Sequence, residues 1–411
     1  MTVIFLLMGI ILIICSMKIH KTWINPFTVL CMPYVFVVAM NKIYGENKGF
    51  YSIGENTLLI IGLGLISFFI GTMIISVRHS TSYSHTVLSD NSEPLYNYRI
   101  DAMANYSIFI LVLGYIKLGS IVYTQGIYGL TQEGTLVAGL FGHLLFTIYP
   151  LQPLLLLYWL KNKKDVKFGM VVLFTALLLS ASFVKYHIIC FFVMCYLFLV
   201  LTVRKYFKKA TVTLLVGVVA LFIINYVVGF VSQNILNQVS RSFYSDHLWK
   251  YVAGAVINGD AFHDGVMGGN ATVGYKLMTF LFALPNMFIQ ALTGNRLFPR
   301  EGLRMISVSR IGEYSNVTDA ISYMYPITGG FGQVIAFVIY YVILGLLMEM
   351  IFTYGVAKTE KLHISIATIF SFFLFFSFFG TFYINEMPWE IAIYSVVVVQ
   401  LFSKNIRFRF R

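Results

Sequence analysis

Charged side chains are scarce in this chain. Of its 411 residues 58% are apolar and only 11% charged, against about a quarter charged in a soluble globular protein. That deficit excludes a soluble fold. Cysteine is nearly as sparse: Cys15, Cys31, Cys190 and Cys195 all sit in apolar runs, with no C-x-x-C pair and no Cys/His cluster. Neither a disulfide framework nor a cysteine-based metal site is expected. Walker A, G-x-S-x-G and H-E-x-x-H patterns are missing as well. The first apolar run, 2–17, has no basic residue before it and no small-residue cleavage site after it, so it reads as an uncleaved span with its N-terminus outside.

What the chain has in abundance is apolar runs of membrane length. They fall near 2–17, 25–41, 57–75, 102–123, 140–160, 211–231, 331–353, 364–383 and 391–402, with two more inside 167–204. Between Lys167 and Arg204 only Lys185 is strongly charged, and a span needs about 20 residues, so this stretch predicts a tight hairpin with Lys185 at its outer tip. Its flanks, KNKKDVK and RKYFKK, are the densest basic loops. Placing both inside puts 18 of the 29 Lys and Arg residues on the cytoplasmic face, as the positive-inside rule requires. The net charge of +12 is thereby explained by orientation, and no nucleic-acid partner is expected. The expected fold is all-α: a polytopic integral membrane protein with about 11 transmembrane helices and one large extracytoplasmic loop. It divides into helices 1–8 (1–232), the loop (233–330) and helices 9–11 (331–411), with the C-terminus cytoplasmic. Within the loop, 277–292 is apolar and reads as a re-entrant or interfacial helix broken at Pro285.

The loop holds the chemistry-bearing residues: two histidines, six carboxylates and seven Lys or Arg in 98 residues. Arg296, Arg300 and Arg304 form the strongest cluster. Pro299 suits a helix start, so a helix over 299–310 is predicted, with Arg300 and Arg304 one turn apart. Guanidinium groups match phosphate oxygens bidentately, which points to a diphosphate clamp; a solvated basic helix against anionic lipid is the plainer alternative. Arg241 and Lys185 are further diphosphate candidates, with His187 near Lys185. His247, His263 and Asp260 are candidates for a general base toward a sugar hydroxyl, and spacing does not choose among them. No outer loop has a D-x-D or adjacent carboxylate pair, so no metal and no cofactor are expected. Glu349 and His143 are ionisable groups within spans and read as two isolated residues.

Ser315–Phe352 (SNVTDAISYMYPITGGFGQVIAFVIYYVILGLLMEMIF) resembles the Wzy-type oligosaccharide repeat-unit polymerases of O-antigen and capsule. The Asn25-Pro26 pair opening the second span, the charged hairpin tip and the single large loop are also similar; Lys185 stands where that family would have Arg. The resemblance implies a GT-C-like, metal-independent glycosyltransferase acting on undecaprenyl-diphosphate-linked glycans at the outer face of a bacterial plasma membrane. Its partners would be those glycans, membrane lipids and a chain-length regulator protein. An O-antigen ligase is the alternative with the same chemistry, a flippase or exporter of lipid-linked oligosaccharide the alternative of another class.

Overall fold

The computed structural model describes residues 1–79, 98–131, 136–137, 139–232, 243–268, 271–328, 330–358 and 360–404. Its helices are α1 (Thr2–His20), α2 (Pro26–Met40), α3 (Glu55–His79), α4 (Ile100–Thr131), α5 (Leu140–Ile148), α6 (Gln152–Lys161), α7 (Val166–Ser180), α8 (Lys185–Thr202) and α9 (Phe207–Ser232). There follow α10 (Phe243–Ile257), α11 (Gly259–His263), α12 (Val273–Leu281), α13 (Ala283–Thr293), α14 (Ala320–Met324), α15 (Gly330–Lys358), α16 (Glu360–Ile369) and α17 (Glu386–Leu401). The sheet is one small antiparallel pair, β1 (Ile306–Ser307) with β2 (Tyr314–Ser315).

Among the described residues seven helical runs are long and apolar enough to cross a membrane, and the pair α12–α13 would make an eighth. Their surfaces are inverted relative to a soluble protein. On α15 the exposed stripe is Ile335, Ile339, Ile343, Leu347, Met350 and Tyr354, while Phe337, Tyr341, Glu349 and Phe352 are buried on the other side. An apolar stripe of that length facing outward has a lipid as its natural solvent. The chain is therefore an all-α polytopic membrane protein. The hairpin expected over 167–204 is present as α7 and α8, although α7 has 15 residues, about 22 Å at 1.5 Å per residue, short of a full hydrocarbon core. The run expected at 364–383 is not one α-helix: it passes into a π-turn at Phe370–Leu374 and a 3-10 turn at Phe375–Phe378.

The chain packs as two units. The first comprises Met1–Val87, Arg241–Ala357 and Phe372–Trp389, the second Leu88–Ser240, Lys358–Ser371 and Glu390–Arg411. This grouping follows packing, whereas 1–232, 233–330 and 331–411 follow membrane sidedness, so the two divisions describe different properties.

In the first unit α2 begins with a reciprocal cap. Asn25 Oδ1 accepts from Thr28 N at 3.0 Å and Asn25 N donates to Thr28 Oγ1 at 3.2 Å, with Pro26 at the first helical position. Helices α3 and α15 cross through two facing glycines: a Cβ on Gly71 would lie 2.0 Å from the Val342 carbonyl oxygen, one on Gly345 2.2 Å from that of Phe68. Small residues at such crossings let backbones approach where no water drives association. Glu349 is not isolated; its Oε1 lies 3.0 Å from His20 Nε2, both side chains fully buried. His20 also meets Ser76 Oγ at 3.0 Å and the Ser16 carbonyl at 2.8 Å, which pins α1, α3 and α15 at one point.

In the second unit α4 is kinked at Gly126, whose φ of 68° only glycine adopts freely. The break between α5 and α6 carries Pro150 in a 3-10 turn. His143 is paired as well, its Nδ1 2.8 Å from Glu390 Oε2, so both intramembrane groups that read as isolated have an opposite partner.

Candidate functional site

The described residues of 243–268 and 271–328 form a folded part of the first unit, held by buried polar bonds. Asn258 Nδ2 donates to the Ser315 and Val317 carbonyls at 3.1 and 2.9 Å, and Trp249 Nε1 donates to Asn41 Oδ1 at 3.2 Å. Asp319 caps α14, its Oδ1 accepting from Ile321 N and Ser322 N at 3.0 Å. The Tyr34 hydroxyl lies 3.0 Å from the same oxygen and 2.9 Å from the Ser377 carbonyl. Burial pushes the Asp319 carboxyl up to about 6, against the lowering effect of these hydrogen bonds. Its other oxygen, Oδ2, is buried without a partner.

Two of the predicted arginines meet on one carboxylate. Arg296 Nη2 is 2.7 Å from Glu386 Oε1, and Arg300 Nη2 pairs with Glu386 Oε2. Arg296 Nε donates to Gln290 Oε1 at 2.7 Å, while Arg300 Nε is buried and unpartnered. Beside them Tyr323 feels the charges of both Arg300 and Glu301, and burial raises its phenol. The ring of Tyr323 is one of two faces on which Lys276 rests: its Nζ is 5.2 Å from that ring and 5.0 Å from Phe262. Lys276 is fully buried and donates to the Tyr325 carbonyl at 3.1 Å. Arg300, Tyr323 and Lys276 are thus neighbours, with the Lys276 ammonium held against two aromatic rings.

The three candidate bases separate. Asp260 Oδ1 accepts from Thr57 N at 3.2 Å and Thr57 Oγ1 at 2.6 Å, so it caps the start of α3. Gly54 makes room for it, since a Cβ there would fall 1.4 Å from Asp260 Oδ2. His247 stacks on Phe243 at 4.7 Å and lies 3.4 Å from Glu313, which also holds Lys250 at 2.9 Å. His263 has no hydrogen-bond partner at either ring nitrogen and stands edge-on to Tyr325 at 5.5 Å. Burial lowers its pKa to about 4, with Lys276 reinforcing and Asp260 opposing. At neutral pH burial therefore keeps it an uncharged imidazole.

Several sequence expectations are corrected here. No helix forms over 299–310: residues 299–305 are irregular and 306–307 form β1. Arg304 N bonds to the Met267 carbonyl at 2.9 Å and Gly312 turns β1 into β2 with φ of 88°, so the local ladder a helix needs is spent across chain segments. Arg304 is exposed and has no part in the pairing at Glu386. The apolar 277–292 stretch is broken as expected, bent by 72° between α12 and α13, but at Phe282 and not at Pro285. Pro285 sits in the first turn of α13, where its missing N–H has no intrahelical partner to lose. Arg241 lies outside the described residues. Lys185 belongs to the second unit, its Nζ 4.8 Å over the Tyr226 ring, and His187 is buried beneath it between Phe146 and Tyr186.

Sequence reasoning missed Lys276, Glu386 and Asp319. A single Lys inside the apolar run VGYKLMTFLF was the available signal for the first. The other two carry none locally, because their roles depend on partners far along the chain. Among the described residues no group of three His, Cys, Asp or Glu side chains is arranged to hold a metal ion. The chain matches no family model, no curated protein and no solved structure.

Proposed function

We propose that this chain is a membrane glycosyltransferase that polymerises undecaprenyl-diphosphate-linked oligosaccharide repeats at the outer face of a bacterial plasma membrane. The observation that carries the reading is the convergence of Arg296 and Arg300 on the two oxygens of Glu386. Two guanidiniums set to grip a two-oxygen anion are what a departing diphosphate needs, and Glu386 offsets one of their two charges until such a ligand displaces it. The basic loops favour eleven crossings with the N-terminus outside and the C-terminus cytoplasmic, which would turn the arginine pair outward.

In this reaction a hydroxyl at the non-reducing end of an incoming repeat attacks the anomeric carbon of the growing chain. The bond from that carbon to the diphosphate oxygen breaks, and the negative charge it leaves is taken up by Arg296 and Arg300. The hydroxyl proton passes to His263, the one candidate base whose ring nitrogens are uncommitted. Asp260 and His247 serve as structural groups in this scheme, held by Thr57 and Glu313.

Surface glycan from a strain lacking the gene, run beside its complemented parent, tests the proposal. A ladder that collapses to a single repeat on the usual acceptor supports polymerisation. Intact polymer left on its lipid carrier would mark a ligase instead, single repeats retained inside a flippase, and an unchanged ladder would overturn all three.

A further inference from the structure

In the second unit α6, α7, α8 and α9 line a half-open cavity of about 700 Å³, within the size range of small-molecule sites. Its walls are aliphatic and aromatic, and its charge is confined to one end. Connectivity identifies that end: α6 passes to α7 through 162–165 and α8 to α9 through 203–206, while α7 turns into α8 through 181–184 at the other end. The Tyr206 hydroxyl donates to the Leu160 carbonyl at 3.4 Å, which ties the two connections side by side. Lys163 and Lys209 line the cavity there. Both are exposed, and among the described residues neither ammonium has an ion-pair partner. Trp159 stands at the same end, packed so close to Gly169 that a Cβ on that glycine would fall 2.7 Å from the indole. From this mouth the cavity follows α7 from Val166 to Ala176, about 15 Å at 1.5 Å per residue.

We infer that the cavity is a binding site for one anionic phospholipid, an acyl chain lying along α7 and the headgroup phosphate between Lys163 and Lys209. An apolar slot in a membrane protein fills with lipid whatever the headgroup, so the choice rests on the mouth. Two unpaired ammonium groups there favour a phosphate without compensating positive charge over a zwitterion. Trp159 and Tyr206 are the side chains that settle at a lipid headgroup boundary, and they stand where the headgroup would. This site is independent of the glycosyltransferase reading, and the inference holds or fails without it.

The full chain, reconstituted in nanodiscs of equal dioleoyl-phosphatidylglycerol and dioleoyl-phosphatidylcholine, is released into detergent and its retained lipid weighed by native mass spectrometry. One phosphatidylglycerol per chain is expected, preferred roughly twenty-five-fold at about fivefold per lysine, with the preference falling near unity in the Lys163→Gln/Lys209→Gln double variant. Phosphatidylglycerol brominated in its acyl chain should quench a fluorescence component that Trp159→Phe removes, and brominated phosphatidylcholine should quench it much less. Both lysines are exposed, so the double variant leaves the walls intact, and an unchanged melting temperature checks this. Equal retention of the two lipids by the unaltered chain would mean ordinary surrounding lipid and overturn the inference. So would a preference that survives the double variant, or quenching that does not depend on Trp159.

Discussion

His263 and Asp319 are buried titratable groups of the same stretch, and their effects on stability run in opposite directions with pH. The folded chain refuses His263 a proton until pH falls to about 4, while an unfolded histidine accepts one near 6.5. Stability is therefore lost as pH drops from 6.5 to about 4. Asp319 holds its proton up to about 6, which an unfolded aspartate releases near 3.9, so its contribution is lost as pH rises between those values. Each is worth roughly 3 kcal/mol at most. Melting curves in detergent should show His263→Gln removing the acid-side decline and Asp319→Asn removing the opposing one, with no change in either profile counting against the burial of that group. Asp319→Ala also strips two backbone N–H groups of their acceptor and should cost about 1–2 kcal/mol at any pH. On activity, Arg296→Ala and Arg300→Ala should each lower polymer formation by roughly a hundredfold to a thousandfold, measured as rate of chain extension on lipid-linked repeats in membranes. Arg304→Ala should leave it near normal, since Arg304 is exposed and does not pair with Glu386; equal losses in all three would return Arg304 to the clamp.

The helices themselves follow from apolar length, but their spacing depends on single atoms. Gly71 and Gly345 each face a backbone carbonyl of the opposite helix, so a methyl at either site forces α3 and α15 apart. Gly71→Ala and Gly345→Ala should each lower stability by about 1–3 kcal/mol. Gly119, in α4, has nothing within 4 Å of its missing Cβ, and Gly119→Ala should be neutral or raise stability by up to about 1 kcal/mol. Thermal melting of the three variants side by side separates a packing effect from helix propensity: if Gly71→Ala behaves like Gly119→Ala, the two helices do not cross at that distance. The same local sensitivity explains why 299–310 is not helical. A proline at a helix start is permissive, but backbone donors that find carbonyls elsewhere leave nothing for the helix to use.

At the scale of the first unit, three helices distant in the chain are joined through His20 and Glu349. Neither side chain touches solvent, so removing one leaves a buried, uncompensated partner, and Glu349→Leu alone should cost about 3–5 kcal/mol. Replacing both, His20→Leu with Glu349→Leu, should recover most of that loss, because well-packed apolar groups at such a site are often no worse than the pair. A double variant as unstable as the single would show that the two positions are not energetically coupled. The measurement is the melting temperature of each purified full chain in the same detergent.

Membrane class, helix content, the 167–204 hairpin and the broken apolar element near 277–292 were all legible in the sequence. Each rests on apolar length and on where charge is missing, properties that survive without knowing any partner. The cap on α2 was legible in part, since Asn25, Pro26 and Thr28 are neighbours. What tertiary structure alone decided is which polar groups meet. Arg300 finds Glu386, His20 finds Glu349, His143 finds Glu390 and Asp260 finds Thr57, all across long stretches of chain. A charge in a low-dielectric interior must be neutralised by something nearby in space, and sequence distance carries no information about which group that is. For the same reason His263 could be distinguished from His247 and Asp260 only after folding, by the hydrogen bonds it does not make.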